Sequence, residues 1–129
     1  MKQNNHGRPE RVLVPVLALE NAQGALEAAI SALEFFDIDE GVQRDCERNA
    51  SRLGTLAHQK PYKLIHRAPK GHSIVPKPLL LEGAGAIEEG ASEFEDARQY
   101  CSLAEDRKSL DSRSDRLRAV AARLRRHGR

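Results

Sequence analysis

Arg52 and His58 are the two side chains whose types and spacing first suggest chemistry. A histidine can donate or take up a proton near neutral pH, and an arginine can hold a phosphate in a bidentate grip. Phosphodiester cleavage needs both tasks performed in one place. Other chemistry-bearing residues are sparser. His66 and His72 flank "APKG", a stretch with turn character, but two histidines without a third ligand make a poor metal site. Cys46 and Cys101 lack the basic flank that activates a thiolate, and no CxxC or Cys/His cluster suggests zinc. No cofactor and no metal is expected.

The Arg52 and His58 pair resembles the motif of the small helical HEPN ribonucleases, which pair two copies across a dimer. The resemblance implies His58 as general acid/base and Arg52 as the phosphate-holding group. This chain departs from the family in two ways: Leu53 replaces the polar residue usual after the arginine, and the pair falls in the second helix rather than late in the domain. A second motif, "LLLEGAGAIEEG", places Gly83 and Gly85 after an apolar run, as a dinucleotide fingerprint does. Glu88 then occupies the third glycine position and would face a pyrophosphate with the wrong charge.

Charge is laid out in blocks that the net value of +2 conceals. Residues 19–58 hold 3 basic and 8 acidic groups, residues 59–81 hold 5 basic and none acidic, residues 82–106 hold 1 basic and 8 acidic, and residues 107–129 hold 9 basic and 2 acidic. Such blocks either pair with each other or meet outside partners.

The elements that must position these groups are mostly helical. At 129 residues the chain is long enough for one modest core. Residues 1–10 lack apolar side chains after Met1 and are expected to form a mobile tail. The run Val12 to Leu19 is either a short strand or the start of a helix with Pro15 in its first turn. Ala22, Leu26, Ala29, Ile30 and Leu33 then form an apolar stripe over Glu20 to Phe36. Val42, Cys46, Ala50, Leu53 and Ala57 form another from Glu40 to His58, with Asp39 as a candidate cap. Two such helices predict an antiparallel pair. The prolines of "KPYKLIHRAPKGHSIVPKP" exclude a continuous helix, and "YKLIHR" and "HSIVP" around "APKG" predict a basic β-hairpin or hairpin-like loop. A third stripe follows: Leu80, Ala84, Ile87, Ala91, Phe94 and Cys101.

Leu103, Leu110, Leu117 and Leu124 recur every seven residues. With these at d, the a positions hold Tyr100, Arg107, Ser114 and Ala121, a poor zipper seam. At about 100° per residue they do not share a face with the preceding stripe. A break is expected within "KSLDSRSD", with Ser109 or Ser112 as N-cap and a last helix over about 113–127. The expected fold is therefore mainly α: a small helical bundle over residues 11–108, with a hairpin or extended loop at about 61–76, followed by a basic C-terminal helix at 109–129.

The two basic elements suggest a non-enzymatic accessory or regulatory protein that contacts nucleic-acid backbone. The candidate contacts are Lys63, Arg67 and Lys70 in the hairpin and Arg113, Arg116, Arg118, Arg123, Arg125 and Arg126 in the last helix. A helix pair, a basic hairpin and a long final helix are loosely similar to winged-helix regulators, whose last helix often makes the dimer. No third helix precedes the hairpin, however, and no Ser/Thr/Gln-rich recognition helix is present, so the residues license backbone contact without base reading. The alternative is a protein-interaction adaptor using the acidic and basic faces. The helix faces leave room for a homodimer. Val12 to Leu19 is too short to span a bilayer and makes a poor signal core behind Glu10, and two cysteines suit a reduced compartment, so a cytoplasmic protein without membrane contact is expected.

Overall fold

The computed structural model describes residues 10–35, 40–58 and 70–129. The elements run β1 (Arg11–Pro15), α1 (Val16–Phe35), α2 (Glu40–His58), β2 (His72–Pro76), α3 (Lys77–Arg98) and α4 (Ala104–His127). The chain is mainly helical with one small antiparallel strand pair, the fold class that the apolar periodicity predicts.

The run Val12 to Leu19 is both strand and helix. β-Branched Val12 and Val14 suit an extended segment, and Pro15 closes it without needing to donate a ladder bond. The helix then begins at Val16, four residues before the expected start at Glu20. The Val16 N–H, which has no partner inside α1, donates to the Gly71 carbonyl at 2.8 Å. Gly71 has φ +80°, a left-handed conformation that glycine adopts without steric penalty.

Among the described residues, β1 is the partner of β2, with Arg11 opposite Pro76 and Pro15 opposite His72. "YKLIHR", Asp39 and the N-terminal tail up to Pro9 lie outside the described residues. On the inner face of the pair Val14 and Val75 are fully buried, and the buried Ser73 donates its hydroxyl to the Leu56 carbonyl at 2.8 Å.

The register reveals an internal repeat. Val14–Pro15 recurs as Val75–Pro76, and at the same offset Leu19, Gly24, Leu26, Ser31 and Leu33 recur as Leu80, Gly85, Ile87, Ser92 and Phe94. The strand pairing maps onto itself under this offset, with Leu13 opposite its own counterpart Ile74 at the centre. The buried face of α2 matches that of α4: Cys46, Ala50, Leu53 and Ala57 correspond to Leu110, Ser114, Leu117 and Ala121. The molecule is thus two β-α-α halves about an approximate two-fold axis through the strand pair. The hairpins α1–α2 and α3–α4 pack on each other to close a four-helix bundle. At its centre Gly90 of α3 approaches Leu117, Ala29 and Cys46, one residue from each other helix.

The helix break falls at Gln99 to Leu103, earlier than expected, and α4 starts at Ala104. Ser109 and Ser112 lie inside α4 and cap nothing. Arg107 instead donates from its Nη1 to the carbonyls of Cys101 and Ser102, at 2.9 and 3.1 Å, and thereby satisfies two acceptors of the connection. This early break lets Leu110, Leu117 and Leu124 turn inward and become buried, while Leu103 stays exposed. Leu110, Leu117 and Leu124 therefore belong to the core of the bundle, which removes them from any zipper seam.

Candidate nucleic-acid interface

α4 separates its arginines into two groups on either side of its buried stripe. On the α3 side, Arg118 grips Glu95 through Nε and Nη2 at 2.6 and 2.7 Å, and Nη2 also donates to Ser92 at 3.1 Å. Arg125 grips Glu88 in the same manner, at 2.8 and 2.7 Å. Arg98 on α3 completes the seam with Asp111 at 2.8 Å. The acidic block of residues 82–106 and the basic block after it therefore pair within the chain. Arg118 and Arg125, both nominated as phosphate contacts, are held by carboxylates.

The hydrogen bonds from Arg125 and Arg118 hold Glu88 and Glu95 below the usual carboxylate range, against the opposing effect of partial burial. The same bonds raise the two guanidinium groups. A depressed carboxylate contributes stability above its unfolded pKa, about 4.3 for Glu, and loses it as pH falls through the folded value. All four side chains are between a third and a half exposed, so water limits each pair to at most about 1 kcal/mol. The double variant Glu88→Gln/Glu95→Gln should be less stable than the native chain at pH 7 by about 1–2 kcal/mol and should lose less stability on acidification below pH 5. Urea titrations across pH 3–7 check this.

On the other side of the stripe, Arg116 and Arg123 are exposed and form no ion pair with a described residue, and the same holds for Arg126. Among the described residues, Arg113 reaches the Ser109 hydroxyl alone, at 3.4 Å. The C-terminal half of α4 lies at the strand-pair end of the bundle, where Gly128 approaches Leu80 and Leu81 and α4 touches β1. Exposed Lys70 precedes the Gly71 turn at that same end, as does exposed Arg11 at the start of β1. Lys70, Arg123 and Arg126 therefore all lie toward the strand-pair end of the bundle, as do Arg11 and Arg129, which sequence reasoning did not select. Lys63 and Arg67 lie outside the described residues.

Arg52 projects from α2 to α3, where its Nη1 meets Glu82 at 2.6 Å, and His58 is the last residue of α2. Burial, reinforced by Glu89, Asp45 and Glu47, pushes the Cys46 thiol up to about 12, so it stays protonated and unreactive. Gly83 and Gly85 sit inside α3 rather than in a phosphate-cradling loop. Among the described residues no helix is long and apolar enough to cross a membrane, and no three His, Cys, Asp or Glu side chains gather as a metal site. No family model, curated protein or solved structure matches this chain.

Proposed function

We propose that this protein is a non-enzymatic accessory protein that contacts nucleic-acid backbone at the strand-pair end of its bundle. The observation that carries this reading is the sorting of the arginines. After α3 has taken Arg118 and Arg125, Arg123 and Arg126 remain exposed with no carboxylate partner among the described residues, at the same end as Lys70 and Arg11. An array of unneutralised cations on rigid elements attracts phosphate and releases its counterions, with no requirement for base contacts. Lys63 and Arg67 in the acid-free segment would extend the same contact.

Binding of the full chain to generic duplex DNA and to RNA, measured at two salt concentrations, tests this proposal. Arg123→Gln/Arg126→Gln should weaken binding about ten-fold and reduce the slope of log affinity against log salt by about 2. If the native chain binds neither nucleic acid at low salt, this function is wrong and the adaptor reading replaces it.

A further inference from the structure

A groove of about 520 Å³ runs between α1 and the N-terminal half of α4. Its floor is apolar, made by Ala25, Ala28, Ala29 and Leu117, while Lys108, Arg113 and Arg116 stand on its rim beside the hydroxyls of Ser109 and Ser112. The volume lies within the range of about 300–1,000 Å³ typical of small-molecule sites. Glu105 is the sole carboxylate among the described residues that line it.

The internal repeat shows what is unusual about this rim. The counterpart of Arg116 in the first half is Arg52, by the match of Leu117 to Leu53, and Arg52 is neutralised by Glu82 of α3 at 2.6 Å. The counterpart of Glu82 on α1 is Asn21. One half of the molecule thus supplies its own carboxylate between the helices. In the other half that carboxylate is missing, and Arg116 has no ion-pair partner among the described residues. The helix faces differ in the same sense: α3 presents Glu89 at the position where α1 presents Ala28, a groove-lining residue.

We propose that the α1–α4 groove binds a small amphipathic anion, with a carboxylate or phosphate head on Arg113, Arg116 and Lys108 and an apolar body on the alanine floor. The head takes the place that Glu82 fills in the opposite half. Charge-assisted bonds to two guanidinium groups fix the head, and the methyl groups of the floor take apolar surface out of water. The site is separate from the proposed nucleic-acid contact, which uses the other half of α4.

Calorimetric titration of the full chain with octanoate, octyl phosphate, octanol and inorganic phosphate tests the proposal. At least one of the two amphipathic anions should bind, at least ten-fold more tightly than octanol or inorganic phosphate, and the tighter of the two identifies the head group. Arg113→Gln/Arg116→Gln should reduce that affinity at least ten-fold. Ala28→Phe, at an exposed lining position, should block the groove while leaving the fold intact, as circular dichroism and the thermal midpoint would show. Arg123→Gln/Arg126→Gln should leave the affinity unchanged, which separates this site from the nucleic-acid contact. Failure of both amphipathic anions to bind overturns the proposal. So does equal binding of octanol or inorganic phosphate, or binding that survives Ala28→Phe.

Discussion

Replacing Phe94 by alanine is expected to lower the stability of the chain by about 3–5 kcal/mol. Phe94 is the largest fully enclosed side chain among the described residues, only 1% exposed, and it lies on α3, the helix that packs against α4. Two losses add together: the transfer free energy of the ring and the cavity left where neighbouring helices cannot collapse. Small domains are stable by only about 5–15 kcal/mol, so this single change would remove a large part of the total. Leu17→Ala is the matched control. Leu17 is 66% exposed on α1, and its truncation should change stability by no more than about 0.5 kcal/mol. Chemical denaturation of both variants checks the pair, and equal losses would contradict this packing.

Val75→Asp is expected to destabilise the protein by about 4 kcal/mol or more at neutral pH. Val75 is 0% exposed and faces inward from β2, opposite Val12. A carboxylate there would exchange an apolar contact for an ion without a partner. Burial would raise the folded pKa of the new aspartate, whereas the unfolded chain keeps about 3.9. The penalty is therefore smallest below that value and grows as pH rises through it. Val14→Asp, the counterpart in the first half, should behave in the same way, because Val14 is equally enclosed. Thermal midpoints at pH 3.5 and pH 7 distinguish this electrostatic cause from simple loss of valine packing, which would be the same at both pH values.

Several features were legible from local pattern. Of the stripe Leu80, Ala84, Ile87, Ala91, Phe94 and Cys101, the first five are buried on α3 as their spacing predicts, whereas Cys101 lies half-buried in the connection after α3. α2 spans the expected range from Glu40 to His58. Helical periodicity is a local property, so neighbouring residues suffice to reveal it. The basic character of α4 is local too. What local pattern missed was repetition at long range: Val14–Pro15 and Val75–Pro76 were both visible, yet their equivalence becomes clear only when the strands they end are seen to pair. The earlier helix break was missed because no side-chain cap marks it. Leu103 occupies the N-cap position and offers the first N–H groups of α4 no side-chain acceptor, while Arg107 holds the connection by donating to the carbonyls of Cys101 and Ser102.

The same division applies to the candidate sites. Glu88 and Glu95 are seven apart, as are Arg118 and Arg125, and this matched spacing could have signalled the α3–α4 seam. Arg116 and Arg123 also share that spacing, so composition alone does not separate the two groups.

The amino-acid sequence by itself determined the helices and their apolar faces, which depend on periods of a few residues, and a segregated distribution of charge, which is read directly from composition along the chain. Only the tertiary structure decided which arginines are neutralised, which leucines are enclosed and where an uncompensated groove remains. Those outcomes depend on which helix faces meet across the bundle. Glu82 beside Arg52, and the lack of an ion-pair partner for Arg116 among the described residues, are consequences of packing between distant segments.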